Sequence, residues 1–126
     1  MGNKGEKFLI VDDEPDMCWV LEHILEKNGF LTKKALNSSE ALSLIESERF
    51  RLVFLDAKLP DIDGLELAKQ IRKTDPDIRI IIVSGYFYKD DVVILKALEE
   101  GLIYGFIGKP FFHEEILETV KTASSL

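Results

Sequence analysis

The chain has 126 residues, of which 46% are hydrophobic and 31% charged, a composition typical of one globular domain rather than a disordered segment. Its net charge of −7 argues against a broad nucleic-acid surface, which requires a concentration of lysine and arginine. No apolar run approaches the roughly 18 residues of a membrane span, and the single cysteine, Cys18, cannot form an internal disulfide. We therefore expect one cytoplasmic domain over residues 1–126, without direct contact to nucleic acid or membrane.

Short apolar runs alternate along the chain with longer segments of helical period. The predicted strands are Phe8–Val11, Phe30–Ala35, Leu52–Leu55, Ile78–Val83 and Gly105–Ile107. The third and fourth runs are almost continuously apolar, as expected of strands that are buried on both faces of a sheet. Such strands are typical of a parallel sheet covered by helices.

A helix is predicted after each strand. The first begins at Pro15 and ends at Asn28-Gly29, because proline suits the first turn of a helix and glycine its end. The second follows the Asn37/Ser38 cap, the third runs from near Gly64 to before Asp75-Pro76, the fourth from after Asp90 to Gly101, and the last covers about Phe112 to Thr122. The fourth is expected to bury Val93, Ile94, Ala97 and Leu98.

This β-α alternation predicts an α/β fold, with a five-stranded parallel sheet doubly wound by helices. By precedent, we expect the flavodoxin-like strand order 2-1-3-4-5. Sites in such sheets form beyond the carboxyl ends of the strands. Asp12-Asp13 follow the first strand, Asp56 the third, Ser84 the fourth and Lys109 the fifth. Three carboxylates, a hydroxyl and an ammonium are therefore expected at one edge.

Electrostatics restricts what this cluster can do. Two unit charges 4 Å apart interact by about 4 kcal/mol at an effective dielectric constant near 20. Three neighbouring carboxylates thus require protonation or a cation; Lys109 balances one charge, and Mg²⁺ suits the remaining oxygen ligands. Asp56 could then attack a phosphorus centre, since carboxylates are known to form aspartyl phosphates. Separately, each residue has a simpler interpretation: Asp12 and Asp13 as helix-capping acids, Ser84 as a turn hydroxyl and Lys109 as a surface charge.

Together these residues resemble the bacterial response-regulator receivers, the CheY-like domains of two-component systems. The resemblance rests on Asp12-Asp13, on Asp56 with Leu59-Pro60 and Asp63-Gly64, on Ser84-Gly85 and on Lys109-Pro110-Phe111, and it extends from about Lys7 to Val120. It implies that Asp56 accepts a phosphoryl group from a sensor histidine kinase or a phosphotransfer protein. It further implies that Asp13, Asp56 and the backbone carbonyl of Lys58 bind Mg²⁺ (or Mn²⁺), with Asp12 acting through water.

The resemblance also assigns the remaining residues. Lys109 would contact Asp56 or its phosphoryl group, and Ser84 would close on the phosphoryl group. Lys109-Pro110 would be cis, and Phe106 would be the aromatic residue that turns inward on activation. Phe106 as simple core, or Tyr104 in its place, are alternatives. The surface of the fourth helix, fifth strand and fifth helix would then be recognised by an unknown downstream protein. We expect a monomer or a phosphorylation-dependent dimer, with no output domain in this chain.

Apart from self-catalysed phosphoryl transfer and slow autodephosphorylation, no enzymatic activity is expected. Lys58 and Tyr86, two residues beyond Asp56 and Ser84, could cover the phosphoryl group and slow its loss.

One alternative function is that of a phosphorylation-independent, receiver-like interaction module. Another is a haloacid-dehalogenase-type phosphatase, whose Asp-x-Asp motif resembles residues 61–64; it is disfavoured because a proline precedes the motif where a strand should end. A nucleotide-binding domain is weaker still, because no glycine-rich motif follows the first strand.

Overall fold

The computed structural model describes residues 6–85 and 91–124, in which five parallel strands alternate with five helices. The elements are β1 Lys7–Val11, α1 Pro15–Lys27, β2 Leu31–Ala35, α2 Ser38–Ser47, β3 Leu52–Asp56, α3 Gly64–Thr74, β4 Arg79–Ser84, α4 Val92–Glu99, β5 Gly105–Gly108 and α5 His113–Ser124. The strands pair in the order β2-β1-β3-β4-β5, which confirms the predicted fold class and strand order. Among the described residues, no helix is long and apolar enough to cross a membrane.

The sheet is covered on both faces, and successive residues of its central strands contribute to opposite cores. Leu9 and Val53 pack with buried residues of α2, α3 and α4, whereas Phe8 and Phe54 pack with buried residues of α1 and α5. β3 is buried along its whole length, which accounts for its continuous apolar sequence. The doubly wound arrangement follows directly from these two apolar surfaces.

Differences from the predicted elements are confined to their ends and to one helix face. β2 begins at Leu31 rather than Phe30, whose ring instead packs against Phe8 at a centroid distance of 5.0 Å. The prediction that α4 buries Val93 is wrong: Val93 is 50% exposed, and Ile94 lies in the core. Residues 92–95 are all apolar, so the hydrophobic period cannot identify which of them face inward.

The parallel register places the predicted site residues at one edge of the sheet. Val11 lies opposite Leu55 in the β1–β3 pairing, so Asp12 follows β1 where Asp56 ends β3. In the β4–β5 pairing Ser84 lies opposite Gly108, the residue before Lys109. Chain segments that are far apart in sequence thus deliver their polar residues to the same place.

Candidate functional site

The three predicted carboxylates lie together at the carboxyl edge of the sheet. Asp12, Asp13 and Asp56 each offer an oxygen atom, and these atoms all lie within 4.8 Å of one another. Asp12 and Asp56 are buried, with 2% and 7% of their surface exposed, whereas Asp13 is exposed. The cluster therefore combines two desolvated carboxylates with one that faces solvent.

Local hydrogen bonds fix the two buried carboxylates. Asp12 Oδ1 accepts from the backbone N–H of Glu14 at 2.9 Å, in the turn that leads from β1 into α1. Asp56 Oδ1 accepts a longer bond, 3.3 Å, from the backbone N–H of Lys58. Cys18, buried in α1, donates from Sγ to the backbone carbonyl of Asp12 at 3.4 Å, so this cysteine has a packing role.

Lys109 provides the positive charge of the cluster, and its closest partner is Asp12. Its Nζ lies 3.1 Å from Asp12 Oδ2, 3.6 Å from Glu14 Oε1 and 3.9 Å from Asp56 Oδ2. Burial alone would lower the pKa of Lys109, but the hydrogen bond to Asp12 and the charges of Asp12, Asp56 and Glu14 raise it overall, so the ammonium stays charged. Sequence reasoning missed Glu14, which carries no signal beyond its place next to Asp13.

One lysine does not neutralise this cluster. The pKa of Asp56 is raised to about 6. Burial raises it most, followed by the negative charge of Asp12 and, to a smaller extent, that of Asp13, whereas the charge of Lys109 and the hydrogen bond from the Lys58 N–H lower it. The donor atoms are hard carboxylate oxygens with an excess of negative charge, a set that fits a divalent cation such as Mg²⁺. The residues present therefore fit the metal that the sequence predicts.

The loop between β3 and α3 is held against Asp56 by a close backbone contact. The N–H of Gly64 donates to the carbonyl of Ala57 at 2.8 Å, and Lys58 pairs with Asp63 in an isolated antiparallel bridge. A Cβ atom at position 64 would lie 2.3 Å from the carbonyl oxygen of Asp56, so only glycine fits there. The sequence marked Gly64 as a helix start but did not reveal this contact.

An open cleft of about 420 Å³ gives access to the cluster; it is lined by Asp13, Glu14, Asp56, Lys58, Leu59, Pro60, Gly85 and Lys109. Ser84 is fully buried at the end of β4, and its carbonyl accepts from the N–H of Lys109 at 2.9 Å. The Lys109–Pro110 peptide bond is cis, as the resemblance implies. Tyr86 lies outside the described residues.

Two predicted positions lie away from this cleft. Phe106 is half-buried on β5 and lines a separate groove of about 290 Å³ between α4 and α5, together with Tyr104. Asp61, the nucleophile of the alternative phosphatase interpretation, accepts hydrogen bonds from Ser38 at the start of α2. Asp63 caps α3 by accepting from the N–H of Leu65. The Asp-x-Asp residues are thus engaged with helix ends.

Residues 8–121 match the response regulator receiver domain family. The chain belongs to this family. Among curated relatives of this receiver, the sporulation initiation phosphotransferase F of Bacillus subtilis is 39% identical over 93% of this chain and 92% of its own length. Other curated relatives are longer regulatory proteins, of which the receiver spans about a quarter.

Solved structures give the same assignment. A CheY-like receiver from Methanospirillum hungatei is 34% identical, with a TM-score of 0.85 over 94% of this receiver and 93% of that chain. The Thermotoga maritima response regulator TrrA, solved in complex with Mg(2+)-BeF, is 33% identical, with a TM-score of 0.80 over 94% and 98% of the two chains. The receiver is therefore homologous to the response regulators of two-component systems.

Proposed function

We propose that this receiver accepts a phosphoryl group on Asp56 from a phosphohistidine of a sensor histidine kinase or phosphotransfer protein. The observation that carries the proposal is the position of Asp56. Its carboxylate ends an entirely buried strand, lines the open cleft, and lies with two other carboxylates and 3.9 Å from the ammonium of Lys109. The phosphotransferase relative from Bacillus subtilis supports the same role.

The proposed metal ligands are Asp13, Asp56 and the backbone carbonyl of Lys58, which hold Mg²⁺ (or Mn²⁺). Bound Mg²⁺ would supply positive charge that offsets the carboxylates and the incoming phosphoryl oxygens. Both oxygens of Asp12 already accept hydrogen bonds, Oδ1 from Glu14 and Oδ2 from Lys109, which supports an indirect role for Asp12 through water. The relative solved with Mg(2+)-BeF supports the choice of metal.

In the proposed transfer, a carboxylate oxygen of Asp56 attacks phosphorus. One O–P bond forms as the P–N bond to the donor histidine breaks, and the imidazole nitrogen keeps the bond electrons. Lys109 balances charge on the phosphoryl oxygens, and the Ser84 hydroxyl donates a hydrogen bond to one of them. Lys58 and Tyr86 would restrict the approach of water, so that the phosphoryl group is lost slowly.

Downstream, we propose that Phe106 couples the Ser84 end of the sheet to the surface formed by α4, β5 and α5. A target protein would read this surface, and the receiver would act in the cytoplasm as a monomer or a phosphorylation-dependent dimer. Apart from transfer to and slow loss from Asp56, no catalytic turnover is part of the proposal. The groove beside Phe106 offers space for a change in its side-chain conformation.

Labelling with a small acyl phosphate, measured by intact mass with and without Mg²⁺, tests the phosphoacceptor. The parent should gain one phosphate only with Mg²⁺, and Asp56→Asn should gain none. Asp77→Asn is the matched control: it makes the same chemical change on an exposed residue that precedes β4, at the end of that strand opposite Ser84. Label on Asp56→Asn would refute the assignment, and failure of the parent to label would favour the phosphorylation-independent module.

A further inference from the structure

The β3–α3 loop folds back on itself into a short arm with a two-residue tip. Lys58 and Asp63 pair at the base of the arm, and the N–H of Leu59 donates to the carbonyl of Ile62 at 3.2 Å. Pro60 and Asp61 therefore form the tip. The base is fixed next to Asp56, because the N–H of Lys58 donates to Asp56 Oδ1.

The tip is attached to a different part of the fold, the beginning of α2. Both carboxylate oxygens of Asp61 accept from the backbone N–H of Ser38, at 3.2 and 3.1 Å, and the Ser38 hydroxyl also donates to Oδ2. These hydrogen bonds hold the pKa of Asp61 below its ordinary value. A carboxylate at a helix N-terminus is additionally stabilised by the helix dipole.

This contact is separate from the helix's own cap. The side chain of Asn37 accepts from the N–H of Glu40 at 2.9 Å, and Glu40 Oε1 accepts from the N–H of Leu36 at 2.8 Å. α2 therefore keeps its own N-cap side chain without Asp61, which accepts from the first N–H of the helix in addition. Because the Asn37 cap stays in place when Asp61 is replaced, the main consequence of losing the Asp61–Ser38 contact is expected in the loop that carries Asp61.

We propose that Asp61 is a positioning residue for the metal site, which clamps the β3–α3 arm to α2 and so holds the Lys58 carbonyl in place. This inference rests on the proposed function, in which that carbonyl is a Mg²⁺ ligand. A backbone ligand cannot adjust by side-chain rotation, so its position depends on the loop that carries it. The base and the tip contact restrain the arm at its two ends, and Leu59 and Ile62 pack against the core between them. Removing the tip contact therefore leaves the base and this apolar packing, but frees the end of the arm.

Amide NMR titrations with MgCl₂ test the clamp through metal affinity in the absence of any phosphodonor. Asp61→Ala should weaken Mg²⁺ binding about three- to tenfold, the range that corresponds to the net contribution of about one hydrogen bond. Asp61→Asn retains an oxygen that can accept from Ser38 and should weaken binding less. Glu66→Ala removes an equivalent exposed charge from the first turn of α3 and should leave the affinity unchanged.

Two comparisons separate positioning from simple charge. If Asp61→Asn weakens Mg²⁺ binding as much as Asp61→Ala, or if Glu66→Ala does so, a through-space effect of charge explains the result and the clamp is refuted. Ser38→Ala should weaken Mg²⁺ binding slightly when it is introduced into the parent. It should have no effect when it is introduced into Asp61→Ala, because the Ser38 hydroxyl has no carboxylate to contact in that variant. Additive effects of the two substitutions would contradict the proposal.

Hydrogen exchange provides a readout that does not depend on metal. The Leu59 amide, bonded within the arm, should exchange several-fold faster in Asp61→Ala, whereas the amides of β3 should be unchanged. Equal Leu59 exchange in the two proteins would overturn the clamp. If the parent does not bind Mg²⁺, and its titration is the same as that of Asp13→Asn, the metal assignment is wrong. The positioning role of Asp61 is then also refuted.

Discussion

Replacing Asp56 with asparagine should stabilise the metal-free receiver at neutral pH, although it removes the proposed phosphoacceptor. Burial and the charge of Asp12 raise the pKa of Asp56 from 3.8 to about 6. At about 1.4 kcal/mol for each pKa unit, this rise corresponds to about 3 kcal/mol of destabilisation when the carboxyl is ionised. Asparagine keeps the shape of the side chain and removes its charge, but burial of its polar amide is itself unfavourable. We therefore expect the free energy of unfolding to rise by about 2 kcal/mol.

The pH dependence gives the sign of this effect. Because the folded pKa lies above the unfolded one, the folded protein binds more protons between pH 3.8 and about 6. The penalty of ionised Asp56 is therefore absent below the unfolded pKa and fully present above the folded pKa. The stability advantage of Asp56→Asn should be largest above pH 6 and should disappear as the pH falls toward 3.8.

Urea unfolding in EDTA, measured at several pH values, tests this prediction. Glu46→Gln makes the equivalent change on an exposed residue of α2 and should show no comparable gain. Added Mg²⁺ should narrow the gap, because the parent retains a carboxylate ligand that Asp56→Asn has lost. If Asp56→Asn is no more stable than the parent in EDTA at neutral pH, the buried-charge explanation is wrong.

Three further predictions concern neighbouring residues. Lys109→Met should slow Mg²⁺-dependent labelling by about a hundredfold in an intact-mass time course, because the ammonium that faces Asp56 is lost; a rate within twofold of the parent would contradict this. Tyr86→Ala and Lys58→Asn should each shorten the phosphoryl lifetime, and unchanged dephosphorylation rates would show that neither residue excludes water. Gly64→Ala should lower the free energy of unfolding in denaturant by at least about 2 kcal/mol, because its Cβ would clash with the Asp56 carbonyl. Gly85→Ala should be tolerated, since the nearest atom to its Cβ would lie at 3.9 Å; equal losses of stability in the two variants would refute the clash.

Apolar runs followed by polar residues predicted the sheet and the edge at which the carboxylates meet. This succeeded because parallel strands buried on both faces are distinctive in sequence, and their ends share one edge. The sequence predicted side-chain orientation less well where several consecutive residues are apolar. In α4 four consecutive residues are apolar, and the pattern did not show that Val93 is exposed. The contact of Asp61 with Ser38 spans 23 positions and depends on the shape of a loop, which residue type alone does not specify.

The sequence also did not predict which carboxylate of the cluster pairs most closely with Lys109. Residue types predicted that Lys109 would meet the carboxylates, yet its shortest contact is with Asp12, at 3.1 Å, rather than with Asp56, at 3.9 Å. Asp12 is the more buried carboxylate and its other oxygen is already fixed by Glu14, so it presents a stationary acceptor. Asp56 keeps Oδ2 directed toward the lysine at a longer distance. Lys109 is thus held mainly by Asp12, and the Asp56 carboxylate, which lines the open cleft, makes the longer contact with the ammonium.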